Sequence, residues 1–268
     1  MLDPLSPYRP DALAGHVAII TGGATGIGRA IARGFARLGA DVCIASRKPE
    51  ALAQAAAELG AESGRAILTV PADVRNPDDA ARVVAATVAR FGGLDTLVNN
   101  AAGNFLAPAA TLSPNGFRTV IDIDLNGTFH MCRAAFAALS ASGRGAILNI
   151  SATLHYHGTP LQLHASAAKA GVDALTRNLA VEWGGAGIRV NAIAPGPIAD
   201  TEGMRRLAPG DAARRAKAGI PLGRFGEADE IAAAAVFLRS AAAAYVTGTV
   251  LVVDGGHCQN QPMMLMQQ

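Results

Sequence analysis

The sequence predicts a single α/β domain with a doubly wound parallel sheet of about seven strands flanked by helices. Short apolar, β-branched runs alternate along the chain with longer stretches that carry apolar residues at helical spacing, a pattern typical of parallel strands buried on both faces. Of the 268 residues, 50% are hydrophobic and 16% are charged, which suits one large core and not a disordered chain. No linker or internal repeat divides the sequence, so we assign residues 1–268 to one domain.

The predicted strands share a β-branched, apolar composition and are short. In chain order they cover residues 16–21, 41–46, 66–71, 96–99, 146–150, 189–194 and 250–253. In an open parallel sheet, ligands bind beyond the carboxyl ends of the strands. The functional residues are therefore expected directly after these runs.

The predicted helices lie between the strands and show apolar residues at a period near 3.6. The segment 195–221 differs, because it is rich in Gly, Pro and Arg without a clean period, and we expect it to form a mobile lid. Residues 1–14 and 257–268 are expected to be tails. The predicted helices cover residues 28–38, 49–59, 77–91, 115–139, 167–183 and 228–238.

Charge and composition argue against several classes of partner. The net charge of +2 predicts no nucleic-acid or anionic membrane surface, and the longest apolar stretch, residues 231–238, is too short to span a bilayer. The widely spaced Cys43, Cys132 and Cys258 indicate a reducing compartment and no disulfide framework. The start of the sequence has no signal-peptide run, and the Met-Gln-Gln at its end is not a peroxisomal address. We therefore expect a cytoplasmic protein.

A glycine-rich turn follows the first predicted strand and opens the first helix. Glycines let the backbone approach a pyrophosphate closely, and a helix N-terminus supplies amide donors and a favourable dipole. A tight turn without a ligand is the alternative, but the position at the first βα junction favours a Rossmann-like dinucleotide site. The residues expected to bind the cofactor here are Gly22, Thr25, Gly26, Ile27 and Gly28.

Two basic residues, Arg47 and Lys48, end the second strand where an NAD-specific fold usually carries an acid. A guanidinium suits a 2′-phosphate, so we predict NADPH as the cofactor, with a solvated turn as the alternative. Asp73 and Val74, after the third strand, are expected near the adenine. Asn100, after the fourth strand, is expected to line the ribose.

These motifs resemble the short-chain dehydrogenase/reductase family over nearly the whole chain. The family pattern TGxxxGIG is met by residues 21–28, its NNAG by residues 99–103 with an extra alanine, and its Pro-Gly after the sixth strand by Pro195 and Gly196. The resemblance implies that Lys169 holds the nicotinamide ribose, that Ile198 and Thr201 join Pro195 and Gly196 in cofactor binding, and that the protein forms a homotetramer.

The catalytic tetrad of this family, Asn, Ser, Tyr and Lys, is altered here at three positions. Counting along the motifs, the asparagine position falls on Asp124, the serine position on Ala152 and the tyrosine position on Ala165, while Lys169 is kept. Such a site cannot easily polarise a simple ketone, but a carboxylic acid with a bound water is a source of a proton for carbon. Burial would raise the pKa of Asp124 and the Lys169 charge would lower it. A purely structural acid inside a helix is the alternative interpretation.

The altered set resembles the 2,4-dienoyl-CoA reductases, especially the peroxisomal type. That resemblance implies NADPH-dependent reduction of a 2,4-dienoyl-CoA to a 3-enoyl-CoA in the β-oxidation of unsaturated fatty acids. Hydride would go to the δ carbon, and a proton from water oriented by Asp124 would go to the α carbon. The tyrosine of the mitochondrial type falls on Leu154 here. The matching strings are residues 101–106, 112–115, 122–124, 163–165, 179–184, 194–198, 201–203 and 205–207.

The same resemblance assigns the acyl-CoA contacts. Asn104 is expected to be catalytic and to face the thioester, while Arg47 and Arg206 are expected to bind CoA phosphates, with solvated arginines as the alternative. Phe105, Ser113 and Asn115 are substrate contacts by resemblance alone.

Three other interpretations concern a metal site and two alternative functions. His155, His157 and His164 lie within ten residues, but no carboxylate or further ligand stands at metal-binding spacing, so no metal is expected. Another short-chain reductase of enoyl-CoA, acyl-CoA or conjugated carbonyl substrates is one alternative function. A catalytically inactive, cofactor-binding relative is the other.

Overall fold

The computed structural model describes residues 3–199, 201 and 211–260, and it confirms the predicted fold class. Seven parallel strands form one sheet in the order β3-β2-β1-β4-β5-β6-β7. The predicted strand positions are correct to within two residues. The strands are β1 (Val17–Thr21), β2 (Asp41–Ser46), β3 (Leu68–Pro71), β4 (Thr96–Asn99), β5 (Ala146–Ile150), β6 (Arg189–Pro195) and β7 (Val250–Val253).

Helices cover both faces of this sheet. Because side chains alternate along a strand, Ile20 of β1 packs into one core with Ile31 and Ile231, and Ile19 packs into the other with Val83 and Met131. The helices are α1 (Gly26–Arg37), α2 (Pro49–Ser63), α3 (Pro77–Phe91), α4 (Pro114–Ile121), α5 (Gly127–Ala141), α6 (Leu154–His157), α7 (Leu163–Trp183), α8 (Asp211–Ala218) and α9 (Ala228–Arg239).

The predicted continuous helix over residues 115–139 is wrong in one respect, because a π-helical turn (Asp122–Asn126) separates α4 from α5. A π turn holds an extra residue and shifts the direction of the side chains that follow, and such turns are frequent at functional sites. Here the turn brings Asp124 to the inside of the molecule, where the Gly103 amide and Lys169 bind it.

Two further expectations are corrected near the sheet edge. Helix α7 begins at Leu163, four residues before the predicted start at Ala167, and the short α6 was not predicted. The segment 195–221 contains α8, so it is not irregular throughout. Residues 200 and 202–210, which include Arg206, lie outside the described residues.

The described part of the N-terminal segment packs on the domain. Leu5 and Leu13 are buried in the same core as α1 and α9, and the Tyr8 hydroxyl donates a hydrogen bond to the Ala233 carbonyl at 3.0 Å. Among the helices of the described residues, none has both the length and the apolar character that crossing a bilayer requires.

Candidate active site

The glycine turn between β1 and α1 is packed too tightly to accept side chains. A Cβ at Gly28 would lie 2.5 Å from the Gly22 carbonyl oxygen and would also clash with the Asn100 amide. Gly22 adopts φ +64° and Gly26 φ +52°, a region that favours glycine. Asn100 fastens the turn, because its Nδ2 donates to the Thr21 carbonyl at 2.9 Å. Asn100 therefore shapes the cofactor turn, and contact with the ribose stays a prediction.

The N-terminus of α1 is open to an anion. Thr25 makes no side-chain cap and the first turn contains no acidic residue, so the first amides of the helix are without an intrahelical or capping partner. Above the turn, the methyl group of Thr201 would lie 3.8 Å from a Cβ at Gly26, and the Thr201 hydroxyl donates to the Ile198 carbonyl at 2.9 Å. This arrangement fits the pyrophosphate of a dinucleotide.

The turn after β6 packs against the strand beside it. A Cβ at Gly196 would lie 2.7 Å from the Cα of Asp254, so Pro195 and Gly196 hold their positions by close backbone packing. Ile198 is buried and pairs with Gly226 in an isolated bridge. The structure thus brings the Thr201 side chain over the glycine turn.

The two basic residues after β2 have exposed side chains that are available to bind a ligand. Neither the Arg47 nor the Lys48 side chain makes a hydrogen bond or ion pair within the part of the chain that the structure describes. Asp73, by contrast, already has a partner: the Arg75 guanidinium donates to its carboxylate, with Nη2 and Oδ2 2.5 Å apart. That hydrogen bond, against the effect of burial, lowers the pKa of Asp73. Val74 packs against Gly127, and the adenine contacts of Asp73 and Val74 stay predictions.

Asp124 and Lys169 form the centre of the site. Asp124 is 1% exposed, its Oδ1 accepts a hydrogen bond from the Gly103 amide at 2.6 Å, and its Oδ2 lies 3.3 Å from Lys169 Nζ. Lys169 also donates to the Ile150 carbonyl at 2.8 Å. Burial raises the pKa of Asp124, although the Lys169 charge and the Gly103 hydrogen bond act in the opposite direction. The carboxyl is thereby more readily protonated than an exposed aspartate.

Alanine stands at both hydroxyl positions of the family tetrad, residues 152 and 165. Ala165 is buried against Val120 and Ala168. Two hydroxyl side chains near these positions are engaged elsewhere: Ser151 Oγ donates to Asp173 at 2.5 Å, and the Tyr156 hydroxyl donates to the same carboxylate at 3.1 Å. Burial and the Asp173 charge raise the pKa of Tyr156, so this phenol is a poor acid.

Asn104 lies in the loop between β4 and α4. Its Nδ2 donates to Gln162 Oε1 at 2.6 Å, while its own Oδ1 is buried and has no partner among the described residues. Gln162 directly precedes α7, and the sequence interpretation missed it because a single glutamine in a loop carries no recognisable pattern. An unpaired buried amide oxygen indicates a position where a ligand or water bonds.

The three substrate contacts named by resemblance lie along one edge of the site. The Phe105 ring is 4.3 Å from the His164 ring, centroid to centroid, and Phe105 is 39% exposed. Ser113 caps α4, because its Oγ accepts from the Gly116 amide at 3.0 Å. Asn115 is exposed, and its Oδ1 accepts from Arg118 at 3.4 Å. Their contact with substrate stays a prediction, as does that of Arg206.

Asp173, on α7, is a buried acid that the sequence interpretation missed. Its carboxylate accepts hydrogen bonds from Ser151 and Tyr156 and contacts His155 Nε2 at 2.8 Å. All three partners belong to the chain between β5 and α7. Its position relative to Lys169 could have identified it, because a residue four positions after Lys169 lies on the same face of the helix.

The domain as a whole matches a known family model. Residues 22–257 match the model described as enoyl-(acyl carrier protein) reductase. A solved structure described as a short-chain dehydrogenase from Bacillus anthracis superposes with a TM-score of 0.83 at 45% identity, covering 92% of this chain and 98% of that one. The chain belongs to the short-chain dehydrogenase/reductase family. Membership in this oxidoreductase family, together with the fold, implies a nicotinamide cofactor.

Several relatives share about half of its residues. A peroxisomal 2,4-dienoyl-CoA reductase of Arabidopsis thaliana, named as (3E)-enoyl-CoA-producing, is 50% identical over 98% of this chain and 91% of that protein. A probable 2,4-dienoyl-CoA reductase of Bacillus subtilis, named as (2E)-enoyl-CoA-producing, is 45% identical over 90% of this chain and 96% of that protein. A citronellol catabolism dehydrogenase of Pseudomonas aeruginosa is 39% identical, with a TM-score of 0.82 over 94% of this chain and 98% of that one.

Proposed function

We propose that this short-chain reductase converts 2,4-dienoyl-CoA thioesters to 3-enoyl-CoA with NADPH, in the β-oxidation of unsaturated fatty acids. One observation carries the proposal: a buried Asp124 stands beside Lys169 at a site that has alanine at the family's serine and tyrosine positions. Such a site can protonate a carbon but lacks the hydroxyl that would protonate a ketone oxygen. The dienoyl-CoA reductase names of relatives near 50% identity support the same substrate class.

A conjugated thioester suits a site without a hydroxyl donor. The reduced nicotinamide supplies a hydride when bound. Addition of that hydride to the δ carbon leaves a dienolate whose charge extends to the thioester oxygen, so the substrate itself delocalises the charge. The remaining requirement is one proton at the α carbon, which gives the 3-enoyl product and balances the two-electron reduction.

Asp124 meets this requirement in its protonated form. Because burial raises its pKa, the acid form is accessible, and it can return a proton to a water as that water protonates the α carbon. Lys169 then stabilises the carboxylate that remains, since its Nζ lies 3.3 Å from Oδ2. On this proposal Lys169 also keeps the ribose of the cofactor in place.

The acyl-CoA contacts extend from this centre. Asn104 is assigned to the thioester, because its buried amide has an unpaired oxygen. Phe105, which is close to the start of α4, is assigned with Ser113 and Asn115 to the acyl and pantetheine portion. Arg47 is assigned to phosphate groups, since it is exposed and makes no ion pair within the described residues. Arg206 has the same assignment from sequence alone.

The test is loss of the dienoyl-CoA absorbance in the presence of NADPH, followed by product analysis in D₂O. We expect turnover, with one deuterium at the α carbon and a double bond at carbon 3. A deuterium at the γ carbon would instead give the 2-enoyl product that the name of the Bacillus subtilis relative specifies. Binding of NADPH with no turnover of any dienoyl-CoA would establish the inactive, cofactor-binding alternative.

Cofactor preference provides a second prediction. Arg47→Ala is expected to weaken NADPH binding about tenfold to hundredfold, because a charge-assisted hydrogen bond contributes about 1.5–3 kcal/mol, and to leave NADH binding unchanged. The measurement is fluorescence titration of both cofactors. Arg90→Ala, which removes an exposed arginine at the end of α3, is the control. Equal affinity of the Arg47 variant and the wild type for NADPH would rule out the 2′-phosphate role.

A homotetramer is proposed on family grounds. Exposed apolar side chains on two long helices support it, namely Phe129 and Phe136 of α5 and Val181 of α7. Burial of such side chains between subunits is favourable. Light scattering of the purified protein measures the number of subunits. The cytoplasmic location is a separate prediction.

A further inference from the structure

His164 is a fully buried histidine whose polar atoms have no role in the packing. Its side chain is 0% exposed, and neither ring nitrogen makes a hydrogen bond of good geometry among the residues that the structure describes. Burial lowers the pKa of His164, while the nearby Phe105 backbone carbonyl, through one ring nitrogen, acts in the opposite direction, so the other nitrogen is the one that lacks any partner there. A buried polar atom that makes no hydrogen bond is unfavourable, so such an atom indicates a place for a ligand or a water. The position therefore provides for a partner that is neither a side chain nor a backbone group of the described chain.

The surroundings of His164 define what that partner is. Phe105 covers one side of the ring, with centroids 4.3 Å apart. Asp124 is close enough for its charge to oppose the lowering of the His164 pKa that burial causes. A neutral imidazole has one donor and one acceptor nitrogen. A water molecule can bond to either nitrogen and still reach a carboxyl group.

We propose that His164 is a positioning residue that holds, through a ring nitrogen, the water by which Asp124 delivers a proton to the substrate. The proposal rests on the proposed function, and it adds a second anchor for the reacting water. Proton and electron balance is unchanged: the water gives one proton to the α carbon and receives one from Asp124. His164 remains neutral and contributes orientation only.

The position of His164 in the fold suits this role. It directly precedes Ala165, where the family has its tyrosine, and it lies on α7 with Lys169. One rigid helix therefore sets both the imidazole and the ammonium that flank Asp124. A water held by two groups on fixed elements has a defined direction, and this direction selects the carbon and the face that receive the proton.

The first experiment compares His164→Leu with the wild type on dienoyl-CoA in D₂O. We expect kcat to fall on the order of tenfold to hundredfold, with little change in KM. The deuterium at the α carbon should lose its single stereochemistry, and the solvent isotope effect should change. His164→Gln, which retains a donor and an acceptor, should recover part of the stereochemistry, and it is the variant to measure if His164→Leu does not fold.

His16 provides the matched control. It lies directly before β1, at the amino ends of the strands, whereas the site lies beyond their carboxyl ends. Its Nδ1 is also buried without a partner among the described residues. Burial lowers its pKa to about 4. His16→Gln tests whether substituting a buried histidine is enough by itself to slow turnover, and we expect it to retain wild-type stereochemistry and isotope effect.

A second readout is independent of turnover. In ¹⁵N spectra of the ligand-free protein, the His164 ring resonances should shift on Asp124→Asn, because the water joins the two groups, while those of His16 should not. The proposal would be overturned if His164→Leu kept the kcat, the stereochemistry and the isotope effect of the wild type. It would also be overturned if the chemical shifts of the His164 ring did not change in Asp124→Asn. An absence of dienoyl-CoA turnover in the wild type, with the resonance shift present, would contradict the proposed function and leave the hydrogen-bonded link standing.

Discussion

Asp124→Asn is expected to lower kcat for dienoyl-CoA reduction by about 10²- to 10⁴-fold, the usual contribution of a positioned general acid. Asparagine keeps the size of the side chain and an oxygen that can accept the Gly103 amide, which now donates to Asp124 at 2.6 Å. It cannot release a proton near neutral pH. The measurement is steady-state turnover with NADPH in excess.

The control lies in the same π-helical turn. Asp122 is less buried than Asp124 and binds the Asn126 amide at 2.8 Å, so Asp122→Asn changes charge nearby without touching the site. We expect Asp122→Asn to retain turnover and both variants to bind NADPH. If the two variants lose activity equally, the effect belongs to the π turn and the proton-relay role of Asp124 is wrong.

The pH dependence of the wild type follows from the same carboxyl group. Burial raises the pKa of Asp124 above its ordinary value, and a general acid works only while it is protonated. The kcat for dienoyl-CoA is therefore expected to fall as pH rises through that raised pKa. Asp124→Asn should lose this dependence, and a kcat profile that is identical in shape for both proteins would show that another group titrates.

Asp173→Ala is expected to lower the free energy of unfolding by about 3–5 kcal/mol, because it removes a shared acceptor and each buried partner left unsatisfied costs about 1–3 kcal/mol. Asp173 is 2% exposed and is the shared acceptor of Ser151, His155 and Tyr156. Its removal leaves the buried Ser151 hydroxyl without this acceptor and His155 Nε2 without this partner. Urea unfolding followed by circular dichroism gives the measurement.

The matched control for stability is on the same helix. Glu182 is exposed near the end of α7, and Glu182→Ala should change stability by no more than about 0.5 kcal/mol. A second readout comes from the site, because Asp173 holds the chain that leads to Gln162 and Asn104. We expect a higher KM for dienoyl-CoA in Asp173→Ala. Equal unfolding midpoints for the two variants would contradict the structural role of Asp173.

The sheet and its cofactor end were predictable because their signals are local. A parallel strand buried on both faces needs a continuous apolar run, which identifies residues 17–21 as a strand. A turn that binds a phosphate needs glycines at set positions, which identifies residues 22–28 as that turn. The altered tetrad was also readable, because the motif spacing identified Asp124 and Lys169 without coordinates. The π turn was not readable, since five residues are too few to distinguish a π period from an α period.

The sequence alone was enough to predict the parallel sheet and the family of this chain, and it predicts a site in which an acid and a lysine take the place of the family's tyrosine. Folding then buries Asp124, which raises its pKa, brings three partners to Asp173, and buries His164, whose ring nitrogens make no hydrogen bond of good geometry among the described residues. The reason is physical. Residue type and spacing set secondary structure, whereas desolvation and hydrogen bonding depend on groups from distant segments that meet only in the folded chain.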